Sequence, residues 1–89
     1  MLLDDHISLS EETRKTKKKR NLRLLARQGW ECSICRTPLS GGKDTCWDHN
    51  HKTGAFRAML CSHCNLGLGH FKDNILNLRK AALYLELHE

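Results

Sequence analysis

Two Cys-x-x-Cys pairs constrain this chain more than any other feature: Cys32-Ser33-Ile34-Cys35 and Cys61-Ser62-His63-Cys64. Each tight turn aims two sulfurs at one point, and two such turns complete a tetrahedral four-thiolate set for zinc. The intervening residues, 36 to 60, are slightly more than the common four-cysteine spacing and leave room for a β-hairpin. Four thiolates leave no open coordination position, so a zinc held by Cys32, Cys35, Cys61 and Cys64 is structural. A chain of 89 residues, 39% hydrophobic and 6% aromatic, has a thin core and needs such a cross-link. Structural zinc contributes on the order of 10–16 kcal/mol in small peptides, so its removal should unfold the chain. The odd count of five cysteines argues against a closed disulfide set. Cys46 fits neither pair and reads as a partly buried strand residue; His63, between two cysteines, is a weaker candidate ligand.

The formal charge is +5. Much of it sits in Arg14, Lys15, Lys17, Lys18, Lys19 and Arg20, a strip suited to nucleic-acid phosphates, although the same run also fits a solvated helix face. No apolar stretch approaches the roughly 20 residues of a membrane span. The opening Met1-Leu2-Leu3-Asp4-Asp5 lacks the features of a signal peptide. These readings point to an intracellular protein with reduced thiols and no membrane partner.

Along the chain, residues 1–9 read as a lead-in, with Ser8 and Glu11 fitting a capping box. Residues 11–28 carry helix formers with acids first and bases later, and Gly29 is a natural stop. Residues 45–60 read as a β-hairpin turning at Lys52-Thr53-Gly54, and 61–69 as a helix. A last helix, 74–87, is capped by Asp73 or Asn74 and carries Ile75, Leu78, Ala82 and Leu85 on one face. Such a stripe ordinarily docks on the core; it could also pair two chains.

With the sulfurs assigned, Asp48, His49, Asn50, His51 and Asn65 remain for chemistry. Asn65 follows Cys64 directly, so the sulfur cluster fixes its position. Oxygens from Asp48 and Asn65 are hard ligands suited to magnesium or manganese. A neutral His49 imidazole can take a proton from water. Together these groups suit phosphodiester cleavage. Neighbouring strand residues face opposite sides, however, so Asp48 and His49 share a site only if the hairpin is bulged or twisted there, or if the site lies over an edge. A strict single face would pair His49 with His51. A second zinc site and plain exposed polarity are the other uses of Asp48-His49-Asn50-His51.

The combination Cys32-x-x-Cys35, Asp48-His49-Asn50-His51, Thr53-Gly54, Arg57 and Leu60-Cys61-x-x-Cys64-Asn65 closely resembles the phage recombination endonuclease VII family, among the ββα-metal or His-Me finger nucleases related to HNH enzymes. The resemblance covers about residues 24–87 and includes the later Gly67-Leu68-Gly69-His70-Phe71-Lys72-Asp73-Asn74 stretch. It implies an α+β fold: a small zinc-stabilised ββα-metal domain at 30–73, a basic N-terminal helical segment at 1–29 and a C-terminal helix at 74–89, together one compact domain. It implies structural zinc on cysteines 32, 35, 61 and 64, catalytic magnesium on Asp48 and Asn65, His49 as general base, and His51 as a further active-site histidine. Arg57 matches a frequent family arginine near phosphate. Residue 58 is Ala where the family often has Gly.

The function so implied is a Mg2+-dependent or Mn2+-dependent DNA endonuclease that leaves 5′-phosphate and 3′-hydroxyl ends, in the host cytoplasm if phage-encoded. Its partner would be duplex or branched DNA. The family's junction resolvers carry a longer C-terminal region and act as intertwined dimers. This sequence stops at Glu89, which favours a monomer or homodimer that nicks, or cuts with little selectivity, at least as much as a resolvase. The rival reading is a zinc-stabilised DNA-binding module without catalysis, which leaves Asp48, His49 and Asn65 unexplained. A protein-interaction zinc domain is a third.

Overall fold

The computed structural model describes residues 14–89; the lead-in and the Ser8–Glu11 capping box lie outside them. The described residues form an α+β fold of three helices and one two-stranded sheet. Helix α1 spans Arg14–Arg27, strands β1 and β2 span Thr45–His49 and Phe56–Cys61, and helices α2 and α3 span Ser62–His70 and Ile75–His88. No helix among the described residues is long and apolar enough to cross a membrane.

Helix α1 ends in a Schellman motif. Gly29 sits at φ +72°, its N–H donates to the Ala26 carbonyl at 3.1 Å, and the Trp30 N–H donates to the Leu25 carbonyl at 3.1 Å. These bonds satisfy carbonyls that the helix end would otherwise leave unpaired. The motif turns the chain directly into the first cysteine loop, whose base is closed by a bridge between Glu31 and Pro38. Within the loop, the Cys32 N–H donates to the Thr37 carbonyl at 2.8 Å and the Arg36 N–H to the Cys32 carbonyl at 3.0 Å. Gly41, at φ +90°, lies so close to α1 that a Cβ there would come within 2.7 Å of Leu22 Cδ2. The positive φ strains any side chain there, and an added Cβ would also require the tip of Leu22 to move.

Strands β1 and β2 pair antiparallel, from Thr45 opposite Cys61 to Asp48 opposite Ala58. The register then slips: His49 faces Phe56, leaving Arg57 as the extra residue of a β-bulge. The core lies between this hairpin, α1 and the cysteine loop. Leu25, Cys32, Leu39, Met59, Leu60 and Cys61 are its buried members, with Leu24, Trp47, Phe56, Cys64 and Leu68 packed around them. One polar side chain locks α1 to β2. Gln28 Nε2 donates to the Met59 carbonyl at 2.8 Å and to the Glu31 carbonyl at 2.7 Å, while Gln28 Oε1 accepts from the Met59 N–H at 3.0 Å.

Helix α3 departs from the expected docking. Its cap is as expected: Asn74 accepts from the Asn77 N–H at 2.8 Å. None of its residues is buried, and Ile75 and Leu85 are 66% and 63% exposed. The apolar stripe is therefore not core. The physical reason lies in the core itself, which α1, the hairpin, α2 and the cysteine loop fill without any residue of α3.

Candidate functional site

The loop after α1 delivers Cys32 and Cys35; the end of β2 and the first turn of α2 deliver Cys61 and Cys64. All four sulfurs lie within 4.8 Å of one another, and the Sγ atoms of Cys35 and Cys61 are 3.7 Å apart. Sulfurs at ~2.3 Å from a tetrahedral zinc are separated by ~3.8 Å, so the cluster has the dimensions of a zinc site. Its backbone is prepared for thiolates. The Ile34 N–H points at Cys32 Sγ, 3.5 Å away, and the Cys64 N–H at Cys61 Sγ, 3.4 Å away.

The electrostatics fit a cation. Burial opposes ionisation of Cys32, but the surrounding N–H groups of Cys35, Cys61 and Ile34 outweigh it and bring the thiol down to about 6. Burial and the neighbouring sulfurs push Cys64 up to about 12. Crowded sulfurs cannot all be ionised by themselves; a divalent cation at their centre removes that conflict. His63 is exposed and belongs to no metal-sized cluster among the described residues. Cys46 also stands outside the cluster, opposite Leu60 on β1, its thiol raised by burial and by the charge of Cys61.

Beside this cluster lies a cleft of about 280 Å³ that brings together Asp48, His49, His51, Asn65 and His70, with Trp47 and Leu66 in its walls. Three local features assemble it. The first turn of α2 carries Asn65, one residue beyond Cys64, so the sulfur cluster sets its position. The end of β1 carries Asp48 and His49, at the step where the register slips. The turn that follows carries His51, whose ring centroid lies 4.9 Å from that of His49. Asp48 and His49 both line this cleft although they are adjacent on β1, at a step where the hairpin is irregular; the inserted residue lies on β2 and not on β1.

Asp48 is buried, 6% exposed, and both its oxygens are engaged. Arg57 Nε donates to Oδ2 at 2.6 Å and Arg57 Nη2 to Oδ1 at 3.1 Å. The same Nη2 reaches Asp73 Oδ2 at 3.2 Å, and His51 Nε2 stands 3.8 Å from that oxygen. The hydrogen bond to Asp48 holds the Arg57 guanidinium above its ordinary range. A carboxylate has about four acceptor positions, so two remain for a further ligand. Asp48 and Asn65 line the same cleft and both carry oxygen donors of the kind hard cations take, with the Arg57 guanidinium already on the Asp48 carboxylate.

A second, larger cleft of about 600 Å³ adjoins the first through His51 and Gly69 and is lined by Lys52, Arg57, Lys72 and Asp73. On the other side, Arg20 of α1 sits over the Trp47 ring, 5.0 Å from its centroid. The basic helix thus adjoins the cleft wall, with Arg14, Lys15, Lys17, Lys18 and Lys19 exposed along it. Lys52, Lys72 and the Arg57–Asp73 link were missed in the sequence. Of the two candidate caps, Asn74 takes the role, and Asp73, at φ +57°, turns to Arg57.

A family model described as recombination endonuclease VII matches residues 6–87. The chain is 42% identical over 59 residues to the Gene 59 protein of Mycobacterium phage D29 and 41% identical over 59 residues to that of Mycobacterium phage L5. Each alignment covers 65% of this chain and 36% of the relative, so the chain spans little more than a third of the relatives' length. No solved structure matches it.

Proposed function

Because the chain belongs to the recombination endonuclease VII family, we propose that it is a divalent-metal-dependent endonuclease that hydrolyses DNA phosphodiester bonds at the cleft holding Asp48, His49, His51 and Asn65. The observation that carries this reading is the convergence of these four side chains in one cleft beside a four-cysteine cluster of zinc dimensions. Cys32, Cys35, Cys61 and Cys64 hold the structural zinc. Asp48 and Asn65 would hold magnesium or manganese. When bound, that ion supplies charge stabilisation at a non-bridging phosphate oxygen and at the departing 3′ oxygen.

The chain's own residues do the rest. His49 accepts the proton of the attacking water at a ring nitrogen. His51, whose ring lies tilted beside that of His49, orients that ring and the incoming phosphate. The basic strip from Arg14 to Arg20 follows the nucleic-acid backbone, and its position against Trp47 leads the strand toward the cleft. One base and one metal site per chain correspond to one cut per chain.

The test is supercoiled plasmid incubated with the protein, with and without magnesium, beside His49→Ala. Magnesium-dependent nicking that disappears in a zinc-loaded His49→Ala protein is the expected result. Full cleavage by that variant would remove His49 from the chemistry. The guanidinium on both oxygens of Asp48 favours a second reading, a zinc-stabilised DNA-binding module without catalysis. Salt-sensitive DNA binding with an intact plasmid under every metal condition would select it.

A further inference from the structure

The Asp48–Arg57 pair joins the two clefts, Asp48 lining the smaller and Arg57 the larger. Asp48 is nearly buried, whereas Arg57 retains 35% side-chain exposure and stands at the boundary between the two clefts. Its backbone is the bulge residue, inserted where the ladder slips from Asp48–Ala58 to His49–Phe56. Its guanidinium already bridges two acceptors, Asp48 and Asp73. It faces a larger cleft that contains Lys52 and Lys72, and no carboxylate pairs with either ammonium among the described residues. That cleft suits a strand of phosphates. A guanidinium fork binds phosphate in the same bidentate geometry that it uses for a carboxylate.

We propose that Arg57 is an exchangeable counter-ion of Asp48: it occupies the carboxylate in the free protein and moves to a nucleic-acid phosphate when DNA enters, so that Asp48 becomes a strong divalent-cation ligand only on the substrate. The inference rests on the nuclease reading above and adds its regulation. Two physical requirements are met. The pair is open enough to solvent on the arginine side to exchange, because screening weakens a partly exposed ion pair. Asp73 supplies a second anchor, so the guanidinium need not leave the site to release Asp48. A unit positive charge about 6 Å from a divalent cation, even with water-like screening, weakens cation binding roughly tenfold. Free protein thereby takes up metal roughly tenfold less readily, and metal and DNA strengthen each other's binding.

The experiment measures Mn2+ binding to the zinc-loaded, DNA-free protein by electron paramagnetic resonance. It is paired with DNA affinity by fluorescence anisotropy, with and without Mn2+ at constant ionic strength, in a His49→Ala background that leaves the DNA whole. Arg57→Gln is expected to bind Mn2+ roughly tenfold more tightly than the parent when DNA is absent. It is also expected to lose the Mn2+-induced gain in DNA affinity that the parent shows. Arg57→Lys, which keeps the charge, is expected to stay within about twofold of the parent in Mn2+ affinity. Unchanged or weaker Mn2+ binding by zinc-loaded Arg57→Gln would overturn the proposal, as would Arg57→Lys matching Arg57→Gln. Asp48→Asn separates the two levels. If it binds Mn2+ as the parent does, the nuclease metal site itself fails. If Asp48→Asn loses Mn2+ while Arg57→Gln gains nothing, only the exchange fails.

Discussion

The two ends of one short hairpin are built on opposite rules. At the Thr45–Cys61 end the ladder is regular, and Met59, Leu60 and Cys61 are buried in succession on β2. Sulfur and apolar packing dominate there. At the His49–Phe56 end the register slips, Arg57 is inserted, and side chains on and beside the strands carry charge or imidazole. Only a few residues separate the two regimes. The first supplies the rigidity that a thin core lacks, and the second keeps the polar groups and irregular backbone on which the proposed phosphate chemistry would draw. Asn65 joins them: it lies in the second site but is held by the first, through Cys64.

Attacking the packed end should give the largest effect. Chelation of zinc, or Cys61→Ser, is expected to unfold the chain, since the ~10–16 kcal/mol of a structural zinc site exceeds what this core can replace. Far-UV circular dichroism would collapse, with DNA binding and cleavage lost together. A folded, active zinc-free protein would dissolve the contrast. Next comes the polar end. His49→Ala is expected to reduce cleavage by about 10²–10⁴-fold while leaving the thermal midpoint and zinc content essentially unchanged. A large drop in stability would mean that the histidine belongs to the packed end after all.

A smaller effect is expected from Gln28→Ala. It removes the acceptor of the Met59 N–H and one donor to the Met59 carbonyl, in a residue that is 1% exposed. The expected cost is about 1–3 kcal/mol, read from urea unfolding, with Mn2+ binding at the cleft unaltered. Smallest are single changes at Lys17 and Lys18, each exposed on α1. Each should lower the slope of log affinity for DNA against log salt by about one and shift stability by no more than about 0.5 kcal/mol. An unaltered slope would detach the basic strip from the phosphates.

How much of this was legible beforehand depended on the range of the interaction. The cysteine pairs, the hairpin and the stop at Gly29 were readable, because each rests on spacing or turn chemistry within a few residues. The gathering of the four sulfurs was readable because two local motifs share one partner. A bulge was one of the geometric alternatives, beside a twist or an edge site, for bringing Asp48 and His49 together; that the inserted residue is Arg57 was not legible. The pairing of Arg57 with Asp48 and Asp73 spans nine and sixteen positions and has no local signature. The same holds for Gln28, which reaches Met59 across 31 positions. The stripe on α3 misled for a different reason: helical periodicity reports an apolar face and says nothing about whether the core still has room for it.

Cys61 is at once the last residue of β2 and the N-cap of α2, with its sulfur both among the clustered four and accepting the Cys64 N–H. Strand passes to helix with no intervening linker, and a zinc held by the four sulfurs would solder the elbow. A jaw hinged at that point would have to tear its own ligand sphere to swing. On the proposed function, adaptation at that elbow would therefore fall to the nucleic acid, whose cost of deformation would then enter its affinity for the cleft.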